Sequence, residues 1–245
     1  MSQALLVVGQ SHVAAFRDAA RLRRERHPTR PRTRVIHTRE PAYAPELVDG
    51  PDGPIFAPPL TRAIREQVAR HRPILVSVIG GNVHNVLALL AHDRPFDFRL
   101  SGEPSPPLDP QAELLNESLM EASLAHEMAR DFDRVRALVT LGLPVVQLES
   151  PPPIRDNGYI AAAADAYFRE AGIAHRGVAP PGLRYRMWRL ASRLMRREVE
   201  RLGQAWRSVP SAVQDEDGFL RPHLAADATH GNALFGELLI EALGG

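Results

Sequence analysis

The sequence predicts an α/β protein, a three-layer α/β/α sandwich with helices on both faces of a mainly parallel sheet. Two observations lead to this fold class. Continuous apolar runs at residues 4–9 and 74–79 are typical of strands buried on both faces, as in parallel sheets. Segments with a helical apolar period follow these runs, so strands and helices alternate along the chain.

The first half of the chain supplies three of the predicted strands. A helix begins directly after the first strand, with Val13 and Phe16 on one face and arginines on the other. Pro73 ends a later helix, because proline cannot continue the hydrogen-bonded turn. Up to residue 110 we predict strands at 4–9, 33–38 and 74–79, helices at 11–26, 60–70 and 83–92, and proline-rich loops at 41–59 and 95–110.

The second half of the chain supplies two more strands, which brings the sheet to five. We predict one or two helices within 111–142, strands at 143–148 and 206–209, and helices at 159–171, 183–202 and 229–243. No repeat, low-complexity tract or linker divides the chain, so we expect a single domain over residues 1–245.

The composition excludes several classes of protein. Hydrophobic residues make up 44% and charged residues 24%, which are ordinary values for a globular chain. Cysteine is absent, which excludes disulfides, zinc–thiolate sites and cysteine nucleophiles. The formal net charge of +1 gives no global field toward nucleic acid, and we expect no such partner. Lysine is also absent, so all 30 basic residues are arginine, which we read first as the mark of a GC-rich, bacterial coding sequence.

The beginning of the chain carries no signal-peptide pattern. Residues 1–3 contain no basic residue, and the apolar run that follows is too short for a signal core. No stretch approaches the roughly 20 apolar residues that a membrane-spanning helix needs. We therefore expect a soluble, cytoplasmic protein.

Three polar segments fall where a parallel sheet places its ligand site. Residues 9–12 (GQSH) follow the first strand, residues 80–82 (GGN) follow the third, and residues 227–230 (DATH) precede the last helix. Ligands of open α/β sheets bind beyond the carboxyl ends of the strands. We therefore expect the three segments to meet at one edge of the sheet.

These segments contain the groups that serine-based acyl transfer needs. The hydroxyl of Ser11 requires a base to become a nucleophile, and His230 can supply it. Asp227 can hold that imidazole in the required tautomer. The side-chain amide of Asn82 can donate to a developing oxyanion, and the two glycines before it let the backbone approach a substrate.

In these blocks the chain resembles the SGNH hydrolase superfamily, also called GDSL-type esterases. Segment 9–11 matches the family's Gly-Asp-Ser block, segment 80–83 its Gly-x-Asn-Asp block, and segment 227–230 its Asp-x-x-His block. Gln10 and Val83 stand where the family has aspartates. The glycine of the family's second block has no clear counterpart in the chain.

The resemblance implies a flavodoxin-like five-stranded sheet and a Ser-His-Asp triad that works without a metal or cofactor. It implies that Ser11 is the nucleophile, His230 the general base and Asp227 its orienting partner. It also implies an oxyanion hole formed by Ser11, Gly80 and Asn82. Candidate substrate-binding residues beside these groups are His12, Gly81 and His84.

The predicted activity is hydrolysis of a carboxylic ester through an acyl-enzyme. The resemblance favours a small-molecule substrate, with an acetyl ester of a carbohydrate as the first expectation, and leaves thioesterase and acyltransferase activities open. The main alternative is a non-catalytic protein of the same fold that binds a sugar or acyl ligand.

Three other classes fit the sequence less well. Ser11 does not lie in the Gly-x-Ser-x-Gly motif of α/β-hydrolases. No glycine-rich phosphate-binding motif occurs. The spacing of His84, Asp227 and His230 matches no zinc signature.

The helix at 183–202 has an apolar stripe and an opposite face rich in arginine. One interpretation is a solvated basic face, and the other is contact with an acidic partner, an anionic substrate or a membrane surface. The arginines of this face are Arg184, Arg186, Arg189, Arg193, Arg196, Arg197 and Arg201.

Overall fold

The computed structural model describes residues 3–245, in which strands and helices alternate as predicted. Met1 and Ser2, part of the segment examined for a signal peptide, lie outside the described residues. The strands are β1 (Leu5–Gly9), β2 (Thr33–His37), β3 (Leu47–Gly50), β4 (Gly53–Phe56), β5 (Ile74–Val78), β6 (Phe96–Phe98), β7 (Glu113–Leu115), β8 (Val145–Leu148) and β9 (Ala205–Arg207). The helices are α1 (Val13–Arg26), α2 (Pro58–His71), α3 (Val83–Ala88), α4 (Glu117–Glu127), α5 (Ala129–Val139), α6 (Asn157–Ala163), α7 (Ala166–Glu170), α8 (Ile173–Arg176), α9 (Pro181–Arg201) and α10 (Ala233–Ala242).

Five of the strands form the central sheet, in the order β2-β1-β5-β8-β9. Every neighbouring pair in this sheet is parallel. Taken along the chain, these are the second, first, third, fourth and fifth strands of the sheet, which is the flavodoxin-like order. The predicted α/β fold class is therefore confirmed, down to the strand order.

Apolar side chains cover both faces of the sheet, which gives the three layers. The side chains of β1 are completely buried because they alternate between two hydrophobic clusters. Leu6 and Val8 pack in the cluster that also contains buried residues of α2, α5 and α9. Leu5 and Val7 pack in the other, with buried residues of α1 and α10. Each such side chain stabilises the fold by roughly 1.5–3 kcal/mol relative to exposure.

The two proline-rich segments that we predicted as loops each contribute short strands. In the first, β3 and β4 form a hairpin in which Leu47 pairs with Phe56 and Val48 with Ile55. Gly53 makes the turn, with a φ of 122° that residues with a side chain rarely adopt. The second segment contributes β6, which pairs in parallel with β7. Because β7 lies within the stretch 111–142, the helical prediction is wrong at residues 113–115.

Other differences from the prediction reflect polar side chains that cap helices. The helix predicted at 159–171 is divided into α6 and α7, because the side chain of Asp165 accepts from Phe168 N (3.1 Å) and starts a new helix. The last helix begins at Ala233, later than predicted, because Asn232 caps it through Leu234 N (3.0 Å). No helix within residues 3–245 is long and apolar enough to cross a membrane.

The arginines of helix α9 differ in exposure, and the first two are buried. Arg184 and Arg186 are each only 1% exposed. Arg186 forms a bidentate pair with the buried carboxylate of Asp97, with Nε 2.8 Å from Oδ1. Arg184 donates to the carbonyl oxygens of Ile154 (2.7 Å) and Arg155 (3.0 Å), in the segment that follows β8.

The remaining arginines of α9 pair with carboxylates of the chain itself. Arg189 bridges Glu103 (2.6 Å) and Glu149 (3.0 Å), and Arg193 binds Glu117 (2.7 Å). The outer ion pairs are Arg196–Glu200, Arg197–Glu121 and Arg201–Glu198. These three outer arginines are more than half exposed, as the interpretation of a solvated basic face expects, and contact with an acidic partner stays a prediction.

Replacing Asp97 with alanine is expected to destabilise the protein strongly, because Arg186 would remain buried without its counter-ion. We expect a loss of about 3–5 kcal/mol in the free energy of unfolding, measured by urea denaturation. The control is Glu200→Ala, which removes an exposed pair with Arg196 and should cost less than about 1 kcal/mol. Equal losses in the two variants would contradict a structural role for the buried pair.

Candidate active site

The three predicted segments lie at or beside the carboxyl edge of the sheet. Gly9 ends β1 next to Val78 at the end of β5, in register across the parallel pair. A Cβ at residue 9 would lie 2.6 Å from Cγ2 of Val78 and 2.8 Å from its carbonyl carbon. Glycine at this position therefore lets the loop after β1 run directly beside the loop after β5.

Asp227 and His230 form the charge-bearing half of the predicted triad. Nδ1 of His230 lies 2.9 Å and 3.0 Å from the two carboxylate oxygens of Asp227. Asp227 Oδ1 also accepts from the backbone N–H groups of Thr229 (2.8 Å) and His230 (2.9 Å). Burial alone would raise the pKa of Asp227, but these hydrogen bonds outweigh it and lower the pKa to about 2. The carboxylate is therefore ionised and holds the imidazole by Nδ1.

His12 packs against the imidazole ring of His230. Its imidazole centroid is 5.1 Å from that of His230, with the two rings tilted by 58°. The His12 side chain is buried, and neither of its ring nitrogens has a hydrogen-bond partner among residues 3–245. Burial, followed by the charge of His230, lowers the pKa of His12 to about 3. His12 is therefore neutral beside His230 at physiological pH.

Ser11, the predicted nucleophile, is exposed at the start of α1, where its carbonyl oxygen accepts from Ala14 N (3.2 Å). Nε2 of His230 is buried and has no hydrogen-bond partner within residues 3–245. The hydrogen bond between serine and histidine is thus not formed in this conformation. The structure brings His12, Asp227 and His230 together, and keeps the Ser11 hydroxyl unengaged by the base.

The two glycines after β5 adopt a backbone conformation that side chains disfavour, with φ of 80° at Gly80 and 89° at Gly81. A Cβ on Gly81 would lie 2.5 Å from Cβ of Ser150 and 3.0 Å from Nε2 of His12. Gly81 therefore adjoins His12, and its role in substrate binding stays a prediction. The N–H of Gly80 donates to Oε1 of Gln10 (3.1 Å), so this predicted oxyanion donor is already engaged.

Asn82 and His84 occupy the start of the short helix α3. Asn82 is half-buried, and its Oδ1 accepts from Nδ2 of Asn85 (2.9 Å), which fixes the orientation of the side-chain amide. The His84 side chain is buried, neither ring nitrogen makes a hydrogen bond, and burial lowers its pKa to about 3. A buried, neutral His84 contributes no charge to a substrate site.

A buried polar network behind the site was missed by sequence reasoning. Gln10 Nε2 donates to Thr38 Oγ1 (3.0 Å) and to Glu46 Oε1 (3.3 Å). Glu46 also accepts from Arg134 Nε (2.9 Å), and Arg134 in turn pairs with Asp131 (2.8 Å). The network therefore connects the loop after β1 to the hairpin segment and to α5. In the sequence, this network is indicated only by charged residues at core positions of the predicted helix at 111–142.

Gln10 shows how the network acts on the site. Where the resembled family has aspartate, the amide side chain both donates to the carboxylate of Glu46 and accepts from Gly80 N–H. A carboxylate at residue 10 could not donate to Glu46. Gln10 is therefore matched to a buried acid that accepts three hydrogen bonds from Gln10, Thr38 and Arg134.

A small cavity of about 30 Å³ lies directly beside His12 and Gly81. Its volume is enough for one or two water molecules or a small chemical group. Oε1 of Gln147 is buried there without a hydrogen-bond partner. The other lining residues include Phe16, Val78, Met128, Glu149, Ser150, Ser192, Met195, Phe235 and Leu239. Within residues 3–245 no group of three or more His, Asp or Glu side chains is placed to hold a metal ion.

Comparisons with known proteins give likeness in fold at low sequence identity. No family model matches the chain, and no curated protein matches it. Among solved structures, the chain is similar to a lipopolysaccharide acetyltransferase periplasmic domain from Salmonella ser. Paratyphi A (12% identity, 100% of this chain and 83% of that chain, TM-score 0.48). It is also similar to a GDSL-like lipase from Bacteroides thetaiotaomicron (11% identity, 98% and 85%, TM-score 0.45).

A third similar structure is a carbohydrate acetylesterase from Sinorhizobium meliloti, at 12% identity over 99% of this chain and 96% of that chain, with a TM-score of 0.41. At such identities and TM-scores, the function of the chain has to be inferred from its own residues.

Replacing Glu46 with glutamine is expected to destabilise the protein in a pH-dependent way. Burial raises the pKa of Glu46, but hydrogen bonds from Thr38, Arg134 and Gln10 outweigh it and hold the pKa below its ordinary value of 4.5. A lowered pKa contributes stability above the unfolded value and loses it as the pH falls through the folded value. We expect Glu46→Gln to cost about 1–3 kcal/mol near pH 7.

The test measures urea unfolding of the wild type and the variant at neutral pH and below the ordinary pKa of glutamate. The difference between them should narrow in acid, as Glu46 of the wild type becomes protonated. The control is Glu66→Gln, since Glu66 is exposed and should change little at either pH. A pH-independent difference would contradict the assignment.

Proposed function

We propose that the chain hydrolyses a carboxylic ester with Ser11 as nucleophile, His230 as general base and Asp227 as the group that orients His230. The observation that carries the proposal is the pair formed by Asp227 and Nδ1 of His230 at 2.9 Å, beside the loop that contains Ser11. An imidazole held at Nδ1 by an ionised carboxylate presents the lone pair of Nε2 as a base. That Nε2 has no other partner among the described residues.

In the proposed reaction, the Ser11 oxygen attacks the ester carbonyl while Nε2 of His230 takes the hydroxyl proton. The oxyanion is stabilised by the Ser11 N–H at the start of α1 and by the side-chain amide of Asn82. His230 then gives the proton to the departing alcohol, which leaves an acyl-enzyme. Water, deprotonated by the same nitrogen, releases the acid and restores Ser11.

Substrate binding has to complete the contact between Ser11 and His230. Catalytic hydrogen bonds are often long or unformed in free enzymes and tighten only in the substrate complex. Here the neutral ring of His12 packs against His230, so the approach of the Ser11 hydroxyl requires a side-chain adjustment at this point.

The proposed substrate is an ester with a small acyl group. The resemblance in motifs favours an acetyl ester of a carbohydrate. Thioester hydrolysis and acyl transfer use the same acyl-enzyme and differ in the group that enters or leaves.

A non-catalytic binding protein is the second candidate, and two observations favour it. Nε2 of His230 does not reach the Ser11 hydroxyl, and the N–H of Gly80 is occupied by Gln10. The two candidates differ in whether Ser11 is activated. A fluorophosphonate reacts with an activated serine hydroxyl and not with an ordinary one, so it separates them directly.

The first prediction from this proposal concerns the nucleophile. Hydrolysis of p-nitrophenyl acetate should fall by roughly 10³-fold or more in Ser11→Ala, because no acyl-enzyme can form. Ser105→Ala is the control, since Ser105 is exposed and lies outside the predicted triad. Both variants are compared with the wild type after circular dichroism shows that they are folded.

The fluorophosphonate label supplies the decisive second readout. The wild type and Ser105→Ala should be labelled, and Ser11→Ala should not. If the folded wild type neither hydrolyses the ester nor is labelled at Ser11, the hydrolase proposal is wrong. The chain would then be assigned as a non-catalytic binding protein.

The second prediction concerns the orientation of His230. Asp227→Asn should lower kcat on p-nitrophenyl acetate by roughly 10²–10⁴-fold, because an amide at this position favours the wrong imidazole tautomer. Asp52→Asn is the matched control on an exposed turn. Retention of full kcat in Asp227→Asn, with a loss in Ser11→Ala, would show that the base is a different group.

A further inference from the structure

A concave, arginine-lined groove lies between α1 and the edge strand β2, away from the candidate active site. We call it the arginine groove, and its volume is about 460 Å³. The basic residues that line it are Arg17, Arg21, Arg23, Arg24, His27, Arg30, Arg32 and Arg34. It extends along the loop that joins α1 to β2, where residues 24–32 are largely exposed.

Only part of this positive charge is neutralised by the chain. Arg17 pairs with Glu40 (3.4 Å), Arg21 with Glu25 (3.5 Å) and Arg23 with Glu241 (3.3 Å). Four further arginines of the groove have no carboxylate within 4.0 Å and make no side-chain hydrogen bond in the part of the chain that the structure describes. These four arginines are Arg24, Arg30, Arg32 and Arg34.

The unneutralised arginines repel one another. The pKa of Arg34 is lowered by burial and then by Arg32, Arg24 and Arg70. Arg70 lies in the last turn of α2, so positive charges from α1, the loop before β2 and α2 act on the start of β2. Guanidinium groups held together without counter-ions raise the free energy of the empty groove, and a bound anion would lower it.

We propose that the arginine groove binds a small anion that carries two or more phosphate groups. The planar guanidinium fork fits phosphate oxygens in a bidentate manner, which makes arginine the side chain suited to such ligands. Several such forks around one concavity match several charged groups of one compact ligand. This site goes beyond the proposed ester hydrolysis and does not depend on it.

The surroundings favour a compact anion over an extended one. The net charge of the whole chain is only +1, and the carboxylates Glu25, Glu40 and Glu241 flank the arginines of α1. The arginines line one bounded volume of about 460 Å³, which suits a compact ligand.

The groove is also separate from the candidate active site. Its free arginines cluster where β2 begins, since Thr33 pairs with Leu5 at the amino end of β1. His12 precedes the other end of α1, and a helix of 14 residues is about 21 Å long. Substitutions in the groove therefore leave the groups around His230 in place.

The test is isothermal titration calorimetry with inorganic tripolyphosphate at constant ionic strength. The wild type should bind, and the triple variant Arg24→Gln/Arg32→Gln/Arg34→Gln should bind at least about tenfold more weakly. The control triple Arg94→Gln/Arg99→Gln/Arg207→Gln changes the net charge equally at exposed arginines outside the groove, and should stay within about twofold of the wild type. If the triple variant does not fold, the single variant Arg34→Gln replaces it, and its affinity for tripolyphosphate should fall by an intermediate factor.

Several results would overturn the proposal. One is a wild type that does not bind tripolyphosphate, and another is an equal loss in the groove and control variants, which would indicate general charge attraction. A third is binding of a single-stranded oligonucleotide or an anionic phospholipid vesicle, but not of tripolyphosphate, through the same arginines. That result would assign the groove to a macromolecular or membrane partner.

Discussion

The close approach of Gly9 to Val78 is the contact on which the candidate site depends. These residues end neighbouring parallel strands, and a Cβ at residue 9 would overlap the backbone of residue 78. Because the two strands end in register, the loops that follow them start side by side, one with Ser11 and His12 and the other with Gly80 and Gly81. The segment before α10 then adds Asp227 and His230 against His12. The sheet geometry therefore brings together residues that are more than 200 positions apart.

Arginine–carboxylate contacts connect the parts of the molecule that the sheet leaves separate. Arg134 links α5 to Glu46 and, through Gln10, to the loop after β1. Arg186 holds Asp97 of β6 against α9. A guanidinium group offers five donors in a fixed plane, so one buried side chain can satisfy several acceptors from distant segments. The same residue type, left without carboxylates beside β2, produces a groove with uncompensated positive charge.

The sequence predicts the features of this fold that depend on local pattern. The continuous apolar run in β1 and the amphipathic period of α1 follow from their own residues, and the parallel order follows from their alternation. The hairpin of β3 and β4 was not predicted, because its strands have only four residues each and contain or adjoin prolines and glycines, which are typical of loops. The burial of Arg184 and Arg186 depends on acceptors about 30 and 89 positions away, which no window of α9 contains. In the site, the Asp227–His230 contact is encoded within four residues. The packing of His12 on His230, and the separation of the serine from the base, arise only from tertiary contacts.

The burial of Arg184 and Arg186 in α9 protects the peptide bonds that follow them from proteolysis. Trypsin cleaves after arginine unless proline follows, and all 30 basic residues of the chain are arginine. Cleavage requires an accessible, extended backbone, which the buried helical segment around Arg184 and Arg186 does not provide. Peptides that end at these two residues are released only from molecules in which α9 has opened. Their appearance therefore reports the population of unfolded molecules, while nicks after exposed loop arginines report only local motion.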